Sequence, residues 1–392
     1  MASLSLINRV KYSPWLYNTY YYIGSLAVKV MGLFVRKDPK LIVISSFGGR
    51  KYDDSPKCIY EEMLNDKRFD GFRIVWAFMH PEQHDIPRGE KVKTDTLAYY
   101  KTLLKARCWI TNSTMERGLN FKQKNVFYYN SWHGTPIKLM GSDINKDNKS
   151  FGSKGHGCPY DVFCAQSQYD ADIFARSFGV PEKAMKIIGL PRNDELVNNA
   201  GEERRNKIKT ELGINRDKKV LLYAPTFREY TKDENLNCVM APPINLKLWE
   251  EKLGRDYVLL FRAHYEVVKV MNVTSNEFVR DVSAYPVLNE LMIVSDILIS
   301  DYSSIYFDYS VMDKPMLCFC YDYDRYAKER GMYFDIRDYL PNSDNEEDLI
   351  KLIQNTDTTK ENAATKLFQE HFVTEYGSAA QKSIDIIYNA IK

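Results

Sequence analysis

Short apolar runs rich in β-branched and aromatic residues alternate along this chain with longer stretches of helical character. LIVISSF (41–47), RIVWAF (73–78), CWIT (108–111), NVFYYNSW (125–132), DVFCAQ (161–166) and MKIIGL (185–190) form a first series. VLLYAPTF (220–227), YVLLFRAH (257–264), DILISD (296–301) and PMLCFCY (315–321) form a second. Strands apolar on both faces and separated by helices belong to parallel sheets built from βαβ units. The pattern breaks at about residues 197–218, VNNAGEERRNKIKTELGINRDK, a polar helix and linker without strand character. It predicts two α/β units, over residues 38–200 and 201–392, and a length of 392 fits two domains at roughly 150 residues each.

Residues 1–37 stand apart. They contain Arg9, Lys11, Lys29, Arg36 and Lys37, no acidic residue, and the rings of Trp15, Tyr17, Tyr20, Tyr21, Tyr22 and Phe34 around IGSLAVKVMGLF. Removing those five cations from the 54 basic residues leaves the rest of the chain net −3 against 52 acidic ones. A spanning helix needs about 20 mostly apolar residues, and Lys29 interrupts this run. Basic residues on both sides argue against a signal peptide. The segment reads as a helix lying in the interface of an anionic leaflet; the alternative is a helix packed on the protein's own core.

Over the whole chain the 54 basic and 52 acidic residues nearly cancel, at net +2, which argues against a protein that coats nucleic acid. With 44% hydrophobic and 27% charged residues, the composition excludes a disordered chain, a collagen-like repeat and a polytopic membrane protein. The 28 tyrosines suit either wet, hydrogen-bonding surfaces or a tyrosine-rich core. Seven scattered cysteines without a C-x-x-C pair indicate reduced, structural thiols in the cytosol, and they do not cluster with the six histidines as metal ligands.

No G-x-G-x-x-G, Walker A loop or G-x-S-x-G elbow occurs, so the chain is not an obvious dehydrogenase, P-loop NTPase or α/β-hydrolase. Polar residues instead gather where strands end, the place where ligands bind in doubly wound folds. After the first strand, Ser45-Ser46-Phe47-Gly48-Gly49-Arg50 offers a glycine turn (Gly48) and a cation (Arg50), which a plain strand-to-helix turn would also use. His133 closes an apolar strand and is followed by Gly134, Thr135 and Pro136, which reads as a helix start. A neutral imidazole there is suited to take a proton near pH 7. Arg192 and Asn193 follow the strand ending at Gly189-Leu190, Thr226 and Arg228 follow 220–227, and Arg262 and His264 follow 257–264. Asp301, Ser303 and Ser304 precede a helical stretch, where hydroxyls and free N–H groups suit a phosphate, although an ordinary serine cap looks the same. Two histidines, three arginines, Thr226 and a Ser-Ser helix start together suggest a cleft for a diphosphate.

At these residues the chain resembles the CDP-glycerol glycerophosphotransferase family, the teichoic-acid type polyol-phosphate primases and polymerases. SSFGGRKYDDSPKCIYEEM (45–63), SWHGTPIKLMG (131–141), GLPRND (189–194), YAPTFRE (223–229), FRAH (261–264) and SDYSSIYFDYSVMDKP (300–315) occur in the family's order. A departure is Ala263 beside His264, where many relatives carry proline. The resemblance implies a GT-B-like fold of two Rossmann-like domains facing a central cleft, to which the reading of residues 1–37 adds an N-terminal membrane-associating helix. The acceptor enters residues 38–200 and the CDP-polyol binds 201–392. The implied reaction moves glycerol or ribitol phosphate from a CDP-polyol to a hydroxyl of a lipid-linked acceptor, releasing CMP (EC 2.7.8 class).

In that reading His133 is the base, while Arg228, His264, Ser303 and Ser304 stabilise charge on the attacked phosphorus and Thr226 seats the diphosphate with Arg262 nearby. Asp301 orients His264 or the ribose, or caps a helix. Gly48, Arg50, Gly134, Thr135, Arg192 and Asn193 line the acceptor side or the cleft, with Arg192 and Asn193 facing either substrate. No protein-bound metal is expected; a divalent cation such as Mg2+ is the one cofactor the chemistry would accommodate. Expected partners are the CDP-polyol, a lipid-linked glycan or polyol-phosphate acceptor, an anionic membrane surface and, as an option, a second copy of the chain, with no nucleic acid. The expected place is the cytoplasmic face of the cell membrane, peripherally attached. Rival readings are a GT-B glycosyltransferase using a nucleotide sugar and a non-catalytic module that binds a polyanion.

Overall fold

The apolar runs become parallel strands in the computed structural model, which describes residues 13–144, 159–226, 228, 241–263, 267, 271, 273–358 and 362–392. Two compact units emerge. The first comprises the described residues of Met1–His133, Met140–Asp194 and Ser378–Lys392; the second comprises those of Gly134–Leu139 and Glu195–Gly377.

In the first unit, β1 (Leu41–Ser45), β2 (Arg73–Phe78), β3 (Glu90–Lys93), β4 (Cys108–Thr111), β5 (Phe127–Asn130), β6 (Val162–Ala165) and β7 (Met185–Ile187) form one sheet ordered β3-β2-β1-β4-β5-β6-β7. Every neighbouring pair is parallel. All five residues of β1 are buried because helices cover both faces. On one face Ile42, Ile44 and Trp76 pack with Ile59, Tyr60 and Met63 of the helix Asp54–Asn65 and with Ile384, Ile387 and Ile391 of the helix Ala379–Ile391. On the other, Leu41, Val43 and Val75 meet Tyr99, Leu103 and Leu104 of the helix Leu97–Lys105 and Val28 of the helix Pro14–Leu33.

The second unit repeats the plan with β8 (Lys219–Tyr223), β9 (Tyr257–Phe261), β10 (Val279–Asp281), β11 (Ile297–Ser300), β12 (Met316–Phe319) and β13 (Asn342–Ser343) in the order β10-β9-β8-β11-β12-β13. These pairs are parallel too. Its core joins Leu221, Leu259, Ile299 and Leu317 to Trp249, Leu349 and Ile353 of the flanking helices.

In each sheet the winding reverses once, between β1 and β4 in the first and between β8 and β11 in the second. The carboxyl ends of those strands frame a crevice that doubly wound sheets use for ligands.

Three sequence expectations change here. The contiguous split near residue 200 differs from the compact units in two places. Ser378–Lys392 belongs with the first unit because its buried Ile384, Ile387 and Ile391 complete that sheet's cover, and Asp194 accepts from the N–H groups of Ala379 (3.0 Å) and Ala380 (2.7 Å) at the helix start. Gly134–Leu139 belongs with the second unit. That segment is also not a helix: Pro136 disfavours helical backbone at Thr135. The chain runs on to an antiparallel bridge, Lys138 with Met332, and Tyr333 N–H donates to Ile137 O at 2.8 Å. Finally, β3, β10 and β13 add pairings that the apolar runs did not announce.

The helix Pro14–Leu33 has two unlike sides. Tyr21, Ser25 and Val28 are buried, and a Cβ on Gly24 would lie 2.8 Å from Leu119 Cδ2, so the backbone docks closely there. Tyr20 Oη donates to Arg117 O at 2.8 Å. The opposite side exposes Trp15, Tyr22, Ile23, Leu26 and Leu33, the last at 80%. Packing on the protein's own core therefore holds for one side of the helix only. No helix of the described residues is long and apolar enough to cross a membrane. Of the cationic residues in this region, Arg9 and Lys11 lie outside the described residues.

Candidate functional site

The first cluster forms at the reversal between β1 and β4. After β1 the chain turns through Phe47 (φ 49°), Gly48 (φ 65°) and Gly49 (φ 89°), a run that glycine adopts freely and that strains Phe47. The turn is held by the loop after β4: Phe47 N–H donates to Asn112 Oδ1 at 2.7 Å and Gly48 N–H to Ser113 Oγ at 3.0 Å. His133 arrives from the end of β5, next to β4 in the sheet.

Its Nδ1 lies 2.6 Å from Asn112 O. A carbonyl only accepts, so Nδ1 carries the hydrogen and Nε2 keeps the lone pair. Trp132 stacks on the imidazole with centroids 4.1 Å apart, and Phe47 sits 5.8 Å away. Burial pulls the His133 pKa below the ordinary histidine value; the Asn112 carbonyl and Asp54 act against this, and Arg192 and Arg50 act with it. The ring is accordingly neutral at pH 7.

Arg192 reaches the same place. Its Nη1 donates to Asp54 Oδ2 at 2.7 Å and to the His133 carbonyl at 2.8 Å, which fixes the backbone under the imidazole. Asp54 (φ 64°) and Trp132 (φ 53°) join Phe47 in the left-handed region. Such residues cost roughly 1–3 kcal/mol each and persist where surroundings over-determine them, commonly at functional sites. Asn193 is fully buried, donates from Nδ2 to Gln166 Oε1 at 2.9 Å, and has no partner for Oδ1 among the described residues. Arg50 is exposed on the rim of the turn. Gly134 (φ 150°) and the buried Thr135 belong to the other unit, one and two residues beyond His133.

The second cluster sits at the reversal between β8 and β11. Asp301 follows β11, and its carboxylate accepts from Thr226 N–H at 2.9 and 3.1 Å, from Tyr302 N–H at 2.6 Å and from Arg228 Nη1 at 2.8 Å. Arg228 also donates to Thr226 O at 2.7 Å and, through Nε and Nη2, to both oxygens of Asp322 at 2.8 Å. The rings of Tyr302, Tyr321 and Tyr326 lie 4.9–5.1 Å from the guanidinium carbon. With 1% of its side chain exposed, Arg228 braces the loop after β8 against β11 and Asp322. Thr226 Oγ1 is buried without a hydrogen-bond partner among the described residues.

Arg262 Nη1 donates to the carbonyls of Val282 (3.1 Å) and Tyr285 (2.8 Å). Ser303 Oγ accepts from Ile305 N–H at 3.3 Å, while Ser304 stands at the cap of the helix Ile305–Ser310 without a capping bond from its side chain. His264 lies outside the described residues. Among the described residues, no three His, Cys, Asp or Glu side chains converge as metal ligands.

Sequence reading missed Asn112, Ser113, Asp54 and Asp322. Asn112 and Asp322 stand just past β4 and β12, so the strand-end rule that found His133 reaches them as well.

The chain matches the model of CDP-glycerol:poly(glycerophosphate) glycerophosphotransferases over residues 27–389. It is 35% identical over 373 residues to a teichoic acid poly(glycerol phosphate) polymerase of Staphylococcus epidermidis, covering 90% of this chain and 51% of that protein. The chain thus spans about half the length of that relative. To a teichoic acid glycerol-phosphate transferase of Staphylococcus aureus it is 32% identical, covering 89% of this chain and 92% of that protein. Among solved structures, one of the wall teichoic acid polymerase TagF matches with a TM-score of 0.80 at 33% identity, covering 91% of this chain and 90% of that one.

Proposed function

Because the chain belongs to the CDP-glycerol:poly(glycerophosphate) glycerophosphotransferase family, with GT-B-like parallel sheets, we propose that it transfers a polyol phosphate from a CDP-polyol to a hydroxyl of a lipid-linked acceptor, in the synthesis of teichoic acid or a related polymer. The observation that carries this reading is the half-buried, neutral His133, whose Nδ1 is occupied by the Asn112 carbonyl and whose Nε2 is left to accept.

An alcohol attacks phosphorus poorly until a base takes its proton. In the proposed step the acceptor oxygen bonds to the β-phosphorus of the donor as Nε2 of His133 takes the hydroxyl proton. The bridging P–O bond breaks, and its electron pair leaves with CMP. Charge gathering on the β-phosphoryl oxygens is met by Thr226, Ser303, Ser304 and Arg262, with His264 as a further donor. Asp301 and Arg228 hold Thr226 in place for that task. On the acceptor side, Arg192 sets the His133 backbone and Gly48 and Arg50 form the rim. The names of the relatives favour glycerol phosphate as the unit transferred.

The exposed aromatic and aliphatic side of the helix Pro14–Leu33, with the exposed Lys29 and Arg36 nearby, supports peripheral attachment to an anionic membrane, where a lipid-linked acceptor resides; Lys37 instead donates to the Leu104 carbonyl.

The test is to offer the full chain CDP-glycerol, CDP-ribitol and a UDP-sugar with a lipid-linked acceptor and to read nucleotide release and product mass. CMP release with a polyol phosphate added to the acceptor is expected; UDP release with a sugar added would move the chain to the glycosyltransferases. His133→Ala should lower transfer by about 10²–10⁴-fold, the usual range for a lost general base, with donor binding by calorimetry unchanged.

A further inference from the structure

Asn112 belongs to none of the segments that carry the family resemblance, yet it joins the loops that follow three adjacent strands. It is fully buried at the end of β4. Its Oδ1 accepts from Phe47 N–H at 2.7 Å, and its Nδ2 donates to Ser46 Oγ at 3.3 Å, both in the turn after β1. Its backbone carbonyl accepts from Nδ1 of His133, after β5, at 2.6 Å. The side chain therefore fixes the residue whose carbonyl selects the hydrogen position on the imidazole.

We propose that Asn112 is the positioning residue of His133: pinned through its amide to the turn after β1, it holds its carbonyl on Nδ1, so that the neutral imidazole exists as the Nδ1–H tautomer and directs the Nε2 lone pair at the acceptor hydroxyl. The proposal rests on the reading of His133 as the base. Two features fit a built arrangement. The His133 carbonyl is separately held by Arg192, itself paired with Asp54, so the backbone cannot turn to restore a lost ring contact. The ring is also confined by Trp132 and Phe47, the latter being the residue whose N–H Asn112 holds.

The charged groups that act on His133 are Asp54, Arg192 and Arg50. Asn112 adds no charge to them, so replacing it tests geometry. Asn112→Ala removes both amide contacts. Asn112→Asp keeps an acceptor for Phe47 N–H and offers a second oxygen to the Ser46 hydroxyl, at the cost of a new anion near the ring.

The experiment uses the full chain labelled with ¹⁵N-histidine, the His133 signals being identified by their loss in His133→Gln. The wild type is expected to show a neutral Nδ1–H imidazole. Asn112→Ala is expected to show mixed tautomers, with kcat for CMP release from CDP-glycerol down about 10²-fold, the lower end of what a base supplies, and KM within about twofold. Asn112→Asp is expected to recover most of kcat on the alkaline side, with its acid limb moved upward by the added anion. A wild-type Nε2–H tautomer overturns the proposal whatever the stability of the variants, and so does Asn112→Ala with unchanged kcat. Full activity in His133→Ala would instead remove the base reading, and the spectrum keeps the two failures apart.

Discussion

Replacing Arg228 with methionine keeps much of the side chain's length and removes its charge. In the wild type the Arg228, Asp301 and Asp322 side chains are 1%, 1% and 7% exposed. Without the guanidinium, two carboxylates remain facing each other among tyrosine rings. Breaking a buried pair from one side costs about 3–5 kcal/mol, and the lost ring contacts add about 0.5–2 kcal/mol. At about 2–4 °C per kcal/mol for a unit of this size, the transition of the second unit should fall by about 7–28 °C. Adding Asp301→Asn and Asp322→Asn removes the stranded charges and should return most of that loss, since a buried ion pair is worth little against a neutral replacement of similar shape. Near-ultraviolet circular dichroism, which senses the packed tyrosines, follows the transition, and calorimetry with CDP-glycerol well below it follows the donor. A variant that melts within about 2 °C of the wild type but no longer binds donor would refute the brace and make Arg228 a direct ligand of the diphosphate.

Two further outcomes are expected. Leu26→Glu with Leu33→Glu places charges on the exposed side of the first helix, so co-sedimentation with anionic vesicles should drop about tenfold or more while the melting temperature holds; unchanged sedimentation rejects membrane contact by this face. Burial brings the Lys314 pKa down to about 7, with its Nζ donating to Ile293 O and Ser295 O. Its folded pKa lies below its unfolded one, so wild-type stability should rise relative to Lys314→Met as pH climbs from 7 to 9, by at most about 1.4 kcal/mol per pH unit. A gap that does not vary with pH in urea titrations excludes this.

The central strands were legible because burial on both faces forces runs such as RIVWAF and CWIT, which became β2 and β4 residue for residue. Three of the four edge strands were not: EKVK, VRD and NS meet solvent on one side, so they are short and carry polar residues, whereas the fourth, β7, lies within the run MKIIGL. Of the two uses foreseen for the tyrosines, a core of Tyr60, Tyr99, Tyr128, Tyr129, Tyr223, Tyr302, Tyr306 and Tyr309 accounts for many of them. His133 and Thr226 could be picked out because a strand end is a local signal. The pairs that hold them, Arg192 with Asp54 and Arg228 with Asp322, join residues 138 and 94 positions apart, a distance over which no local pattern speaks. The same limit made Arg228 look like a free cation beside a strand end.

The sheet that carries His133 is completed by the far end of the chain. Ile384, Ile387 and Ile391 cover the face formed by Ile42 and Ile44, at about 1.5–3 kcal/mol for each buried side chain. On the ribosome, Glu195–Gly377 emerges in full before Ser378–Lys392 exists, so the half begun first is the last to mature. Until then an apolar face stays open to water, to chaperones and to neighbouring chains. A premature stop upstream of Ala379 therefore strikes the half made at the beginning of synthesis and spares the one made in the middle.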